Sequence, residues 1–381
     1  MIKIIRTSTV PSSLNVFCKG FLRELQETEG YEIIAVSSPG PSLEEIQERE
    51  GVKTIAVAME RHISPFKDLK SLLGLIKVFR RERPTMVHSM TPKAGLLCMM
   101  AAWVCRVPVR LHTFTGLVFP TAVGRTKKIL IFTDRLTCAC ATHIIPEGEG
   151  VKNDLLNYKI TKKPLKVLGY GNVRGIDLKH FNPESPSVQA EALKIRKPDV
   201  FTFIFIGRIV RDKGINELVK SFSRLNSKYP KTRLLLVGPY EENLDPLAPE
   251  TLAEINSNEA IEAVGPQKDV RPWLAASDAF VFPSYREGFP NVVIEAGAMG
   301  LPSIVTDING SREIIIEKEN GTIIPSHDVE RLYQAMKKML SDKKSRLAMA
   351  SKSRRLIASR FEQGFVHKCL INYYKEILNL K

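Results

Sequence analysis

The sequence predicts an α/β protein made of two Rossmann-like domains in tandem, and three observations carry that expectation. Short β-branched runs alternate with amphipathic stretches, the pattern of parallel strands joined by helices. The alternation runs through the first half and restarts near residue 201. At 381 residues the chain exceeds one ordinary domain and suits two of roughly 150–200 residues each. The expected domains are 1–170 and 171–360. A terminal helix, 361–381, could close the second domain or cross back to the first.

In the first half the expected strands are Lys3–Thr7, Tyr31–Ser37, Val52–Val57, Met86–Ser89, Val109–Thr113 and His143–Pro146. Helical patterns lie between them at Leu14–Glu27, Leu69–Glu82, Ala94–Val104 and Gly124–Ala139, with Pro84 and Pro108 marking helix-to-strand passages. A segment of little periodicity, Gly169–Pro198, separates the halves and supplies a hinge near Gly169–Gly175. The second half runs Phe201–Ile206, Gly214–Lys228, Thr232–Gly238, Ile261–Gly265, Val270–Ala276, Asp278–Pro283, Pro290–Met299 and Pro302–Thr306, then helices from Asp328. The last segment has an apolar face of Phe365, Leu370, Tyr373, Ile377 and Leu380. Ligands of such sheets bind beyond the carboxyl ends of the strands, so facing domains would place an active site in the cleft between them.

Composition narrows the classes. A hydrophobic content of 44% with 25% charged residues is globular. The net charge of +15 suits a polyanionic partner, an anionic membrane surface or a phosphorylated substrate, with a generally basic protein surface as the alternative. No nucleic-acid-binding pattern accompanies it, and aromatics are only 7%. The six cysteines never form a C-x-x-C pair, which argues against zinc or a disulfide framework and for a reducing cytosol. Cys98, Cys105, Cys138 and Cys140 read as small core hydrophobes. The N-terminus lacks the pattern of a signal peptide, and the longest apolar run, Ala94–Cys105, is too short to span a bilayer.

Two segments carry chemistry. In Gly207-Arg208-Ile-Val-Arg211-Asp-Lys213-Gly214 a strand ends and a helix begins, placing cations on a loop at a sheet's carboxyl edge. Arginine forks and a lysine point charge suit a diphosphate; a solvated charged loop is the alternative. In Glu287-Gly-Phe-Pro-Asn-Val-Val-Ile-Glu295 a Gly/Pro loop leads into a helix whose first amides form an anion site. Glu287 precedes that helix, and Glu295 lies on it where a carboxylate can accept ribose hydroxyls or cap and pair locally. No G-x-G-x-x-G follows the first strand and no P-loop occurs, which disfavours a nicotinamide dehydrogenase or P-loop enzyme.

The Glu287…Glu295 pair, with Gly207-Arg208…Lys213-Gly214 and the run through Pro302, Thr306, Asp307, Gly310 and Glu313, resembles the retaining glycosyltransferases of family 4, which have the GT-B fold. In the first half, Met59–Pro65, His88–Gly95 and His112–Leu117 resemble the subgroup that builds bacterial surface glycans on undecaprenyl diphosphate, N-acetylgalactosaminyltransferases among them. The resemblance implies a UDP-sugar donor, a lipid-linked saccharide acceptor, no metal or other cofactor, and peripheral attachment to the inner face of the plasma membrane. It assigns Arg208 and Lys213 to the donor diphosphate, with amides of Gly288, Phe289, Pro290 and Asn291 around phosphate and sugar. Glu295 falls to the ribose, and Gly265, Pro266 and Gln267 to the nucleobase. Glu287 and His112 approach the transferred sugar as catalytic residues, while His88 reads as structural.

The chain also departs from that pattern. The loop after the first strand, Thr7–Val16, carries hydroxyls where many relatives have a Gly-Gly pair. Ser12 or Ser13 is therefore expected to contact acceptor phosphate, and Lys93 is assigned to the acceptor as well. Gly297 interrupts the helix after Glu295, where alanine would cost less, and close approach of another backbone would explain it. The competing functions are a nucleotide-sugar 2-epimerase on a similar fold and a non-catalytic nucleotide-sugar-binding subunit.

Overall fold

The computed structural model describes residues 1–60, 64–241 and 245–379. It divides into two compact units, one of Met1–Gly175 with the C-terminal residues from Gly364 on, the other Ile176–Gln363. Arg61, His62 and Ile63 of the Met59–Pro65 segment and Leu380 of the terminal helix lie outside the described residues.

Along the first unit run β1 (Lys3–Thr7), α1 (Pro11–Phe17), α2 (Phe21–Glu29), β2 (Glu32–Ser37), α3 (Pro41–Glu50), β3 (Lys53–Ala56), α4 (Pro65–Glu82), β4 (Met86–Met90), α5 (Pro92–Val104), β5 (Val109–Phe114), α6 (Gly124–Cys140), β6 (His143–Pro146) and α7 (Glu149–Asn157). The second holds α8 (Pro186–Ile195), β7 (Phe201–Ile206), α9 (Ile215–Asn226), β8 (Thr232–Val237), α10 (Pro249–Ser257), β9 (Ile261–Gly265), α11 (Arg271–Ala275), β10 (Ala279–Phe282), α12 (Asn291–Ala298), β11 (Ser303–Thr306), α13 (Ser311–Ile314), β12 (Gly321–Ile324), α14 (Val329–Ser341) and α15 (Lys343–Phe361). A last helix, α16 (Gln363–Ile377), returns the chain to the first unit.

Each unit is one parallel sheet of six strands, ordered β3-β2-β1-β4-β5-β6 and β12-β11-β10-β7-β8-β9. Both follow the same doubly wound plan, in which strand order reverses beside the first strand, between β1 and β4 and between β7 and β10. Alternate residues of β1 feed opposite faces: Ile5 joins a core with α4, α5 and α6, while Ile4 joins one with α1, α2, α3 and α16. Burial on both faces explains the mostly apolar runs of the central strands β7 and β8. The terminal helix is held by Tyr374, whose hydroxyl meets buried Arg6 and His88, each at 2.5 Å. His88 is thus structural.

Several expectations need correction. The pattern Leu14–Glu27 is two helices, because Gly20 turns the chain at φ +79°. The segment Gly169–Pro198, for all its little periodicity, contains α8. α3, α7, α10, α13 and β12 were not foreseen, since each is short and shows few apolar positions. Cys105 is only half-buried, unlike Cys98, Cys138 and Cys140.

Candidate functional site

The carboxyl edge of the second sheet is built at the point where strand order reverses. After β7 the chain passes through Gly207 and Arg208, makes a short turn at Arg211–Lys213, and enters α9 through Gly214 at φ +70°. A Cβ on Gly214 would stand 2.1 Å from the Pro283 carbonyl oxygen, so the loops after β7 and β10 run backbone against backbone. The loop after β11 is equally close: a Cβ on Gly310 would lie 2.6 Å from the Gly288 carbonyl oxygen. Hydrogen bonds join the same loops. The Tyr285 N–H donates to the Asp212 carbonyl at 2.9 Å, and the Thr306 hydroxyl donates to the Ser284 carbonyl.

Charges sit on this framework in pairs. Lys213 Nζ binds Glu287 Oε1, and the Ser284 hydroxyl donates to the same oxygen at 3.0 Å. Arg208 Nη1 lies 2.6 Å from Glu241 Oε2 and its Nη2 4.0 Å from Asp212 Oδ2. Asp212 also takes Arg286 at 3.2 Å, and Arg211 pairs with Asp245 at 3.0 Å. The Tyr285 hydroxyl donates to Glu217 at 2.5 Å; burial first, then that carboxylate, raises its pKa. Lys213, Glu287 and Arg208 therefore meet on one edge.

Between Glu287 and Glu295 the chain starts α12. Pro290 is the N-cap and offers no capping side chain. Proline has no N–H, so Pro290 drops out of the expected amide set, leaving Gly288, Phe289 and Asn291. The Phe289 ring is buried, 5.5 Å from that of Phe361, so only its backbone is available to a ligand. Glu295 is half-buried one turn after Asn291. Gly297 is explained by a side chain, not a backbone: a Cβ there would stand 2.7 Å from Ile357 Cγ1. At the sheet edge, Gly265 ends β9 at φ +69° and Pro266 is exposed. The Gln267 amide turns back on the Val264 carbonyl at 2.8 Å.

The first sheet's carboxyl edge is made differently. Thr9, after β1, and Thr91, after β4, bridge the strand-order reversal through hydroxyls 2.8 Å apart, and the Ala94 N–H donates to Thr9 at 3.1 Å. Thr91 has φ +67°, a rare conformation for a β-branched residue. His112 is 1% exposed. Its Nδ1 meets the Ser89 hydroxyl at 2.8 Å, its ring edge meets Phe114, and Gly95 lies so close that a Cβ would be 2.4 Å from Cε1. Burial pushes its pKa down to about 3, so the imidazole is neutral. Thr7–Val16 is not all loop, since α1 starts at Pro11. Ser12 there is exposed and Ser13 half-buried. Lys93 is 11% exposed and bound to Asp68 at 2.6 Å, which turns its charge inward. Among the described residues no three His, Cys, Asp or Glu side chains are grouped to hold a metal.

Glu241 and Asp245, the partners of Arg208 and Arg211, escaped sequence reasoning because they follow another strand. Thr9 and Thr91 escaped it because a single threonine carries no pattern. The bend of Thr91-Pro92 was the one available signal.

Residues 189–356 match the family "Glycosyl transferases group 1", and residues 14–171 match the "Glycosyl transferase 4-like domain". The capsular polysaccharide biosynthesis glycosyltransferase CapM of Staphylococcus aureus is 30% identical over 99% of this chain and 97% of its own length. The chain belongs to the group 1 glycosyltransferases. This transferase is also 28% identical, over 74% of its length and 73% of the relative's, to the Escherichia coli UDP-Gal:α-D-GlcNAc-diphosphoundecaprenol α-1,3-galactosyltransferase. Its fold, GT-B, is shared with Anabaena HepE, solved in complex with UDP and glucose. The TM-score is 0.82 at 14% identity, covering 99% of the transferase and 100% of HepE.

Proposed function

We propose that this transferase moves a hexose, an N-acetylhexosamine, from a UDP-sugar to an undecaprenyl diphosphate-linked saccharide in surface glycan assembly, with retention of anomeric configuration. The observation that carries the reading is the Lys213–Glu287 pair, held where strand order reverses and directly before α12. In this reading the donor diphosphate takes Lys213 and Arg208 as partners, with the amides that open α12. Glu287, released from Lys213, then meets the sugar. Glu295 accepts the ribose hydroxyls, and the Gly265–Pro266 turn lines the base. The bond from the sugar's anomeric carbon to the diphosphate breaks, the acceptor hydroxyl attaches from the same face, and its proton passes to the departing diphosphate.

Positive charge fixed beforehand where negative charge develops is the main source of acceleration. Arg208 and Lys213 supply it, so no metal or other cofactor is invoked. His112 contributes as a neutral ring: Ser89 engages Nδ1 and leaves Nε2 for a sugar hydroxyl. The first unit reads the acceptor through Ser12 and Ser13. No helix among the described residues is long and apolar enough to cross a membrane, and we place the protein at the inner face of the plasma membrane as a peripheral enzyme. The two relatives above, named for a capsular polysaccharide and for a diphosphoundecaprenol acceptor, support this acceptor class.

The test is a screen of UDP-sugars against undecaprenyl diphosphate-linked mono- and disaccharides, read by mass spectrometry. One added hexose with retained configuration is expected. Epimerised donor in the absence of acceptor would overturn the reading, as would transfer undiminished in Glu287→Ala.

A further inference from the structure

The outer layer of the first unit carries a feature that the donor chemistry does not use. α5 packs between α4 and α6, and the three share one core against the sheet. On α4, Phe66, Leu69 and Leu73 are 90%, 55% and 59% exposed. At helical spacing they fall within an arc of about 100° that also holds Lys70, Lys77 and Arg80. α6 repeats the arrangement: Ile129 and Phe132, 47% and 65% exposed, share one face with Arg125 and Lys128. Exposed Trp103 and Val104 end α5 between them.

The charges on this layer are all of one sign. Lys70, Lys77, Arg80, Arg106, Arg125 and Lys128 form no ion pair among the described residues. The acids of these helices lie on other faces and are engaged or buried. Asp68 holds Lys93, Glu82 holds Lys3, Lys53 and Arg81, and burial pushes the Asp134 carboxyl up to about 7. Between the ends of α4 and α5, Arg80, Arg83 and Arg106 line a groove of about 610 Å³ with no carboxylate. Arg83 and Arg106 adopt φ of 48° and 54°, in the left-handed conformation that glycine ordinarily supplies after a helix.

We propose that the outer face of α4, α5 and α6 docks on an anionic lipid bilayer, with the three-arginine groove receiving lipid phosphate. Apolar side chains set among unpaired cations match the boundary between acyl chains and headgroups, where both kinds of group are satisfied at one depth. A second copy of this chain is the weaker occupant, because a symmetric contact would bring the same cations face to face. The proposal rests on the lipid-linked acceptor reading above, since docking is what brings the enzyme to a lipid-anchored substrate.

The experiment is co-sedimentation with phosphatidylglycerol vesicles and with phosphatidylcholine vesicles, on the full chain and two variants. One carries Leu69→Ser, Leu73→Ser and Phe132→Ser; the other carries Lys77→Ser, Arg80→Ser and Arg125→Ser. All six positions are on the surface, and an unchanged Tm verifies folding. The wild type binds phosphatidylglycerol and not phosphatidylcholine. The cation variant loses roughly fivefold in binding per charge removed, and the apolar variant loses at least about tenfold at any ionic strength. Both keep wild-type transfer to a short-chain, water-soluble prenyl diphosphate acceptor and lose transfer to long-chain acceptor held in vesicles. Vesicle binding absent in the wild type, unchanged in both variants, or replaced by a dimer that the substitutions dissociate would overturn docking. Failure to glycosylate any prenyl diphosphate, with vesicle binding intact, would instead strike the acceptor reading.

Discussion

The two sheets have the same strand order and reverse it at the same place, yet their carboxyl edges carry opposite chemistry. In the second unit the reversal between β7 and β10 is lined by Arg208, Lys213, Glu241 and Glu287, interlocked by backbone contacts that only glycine permits. In the first unit the reversal between β1 and β4 is bridged by threonine hydroxyls, and its histidine is neutral and buried. A charged leaving group needs fixed countercharge, whereas an incoming hydroxyl needs only orientation. If the second edge holds a diphosphate and the first an acceptor, as proposed above, a few loop residues divide one fold plan between the two tasks.

The largest expected effect attacks the second edge's framework. Gly214→Ala forces a Cβ against the Pro283 carbonyl in a left-handed residue, and should cost about 3–5 kcal/mol of stability, read by urea unfolding. Next is the charge itself: Lys213→Ala should lower kcat by about 10²–10³, some 3–4 kcal/mol, with Tm nearly unchanged. At the first edge the effect is a pH dependence. The folded-state pKa of His112 near 3 lies below the unfolded value of about 6.5, so the unfolded chain binds the proton first. Stability is therefore full above about pH 6.5 and falls as pH drops toward 3, by about 2 kcal/mol at pH 5. His112→Gln should remove that share, giving a flatter plot of urea midpoint against pH. The smallest effect is at Ser13: losing one neutral hydroxyl contact should raise the acceptor KM by about threefold to tenfold and leave kcat alone.

Much of the fold was legible because short β-branched and apolar runs recur between helical patterns and glycine or proline punctuation. Lys3–Thr7, His143–Pro146, Phe201–Ile206 and Ile261–Gly265 match the structure residue for residue. What the sequence hid was set by tertiary contact. α3 shows two apolar contacts among charges, β12 is four residues beginning with glycine, and α13 is a single turn. The positions of Arg208, Lys213 and Glu287 on strand-to-helix loops were readable, because glycine and proline punctuate those loops. Their pairing was not: Lys213 and Glu287 stand 74 residues apart, and Glu241 reaches Arg208 from a third loop. The inward turn of Lys93 toward Asp68 was equally invisible, since nothing local to Lys93 announces a partner on α4.

In the proposed arrangement the donor nucleotide is held by the charged edge of the second unit alone. Titration calorimetry with UDP on the wild type, Lys213→Ala and Ser13→Ala tests it most directly. Affinity should fall at least about tenfold in Lys213→Ala, as expected for a lost charge-assisted contact of roughly 1.5–3 kcal/mol, and stay unchanged in Ser13→Ala. Unaltered UDP binding in Lys213→Ala, or binding lost in Ser13→Ala, would contradict it.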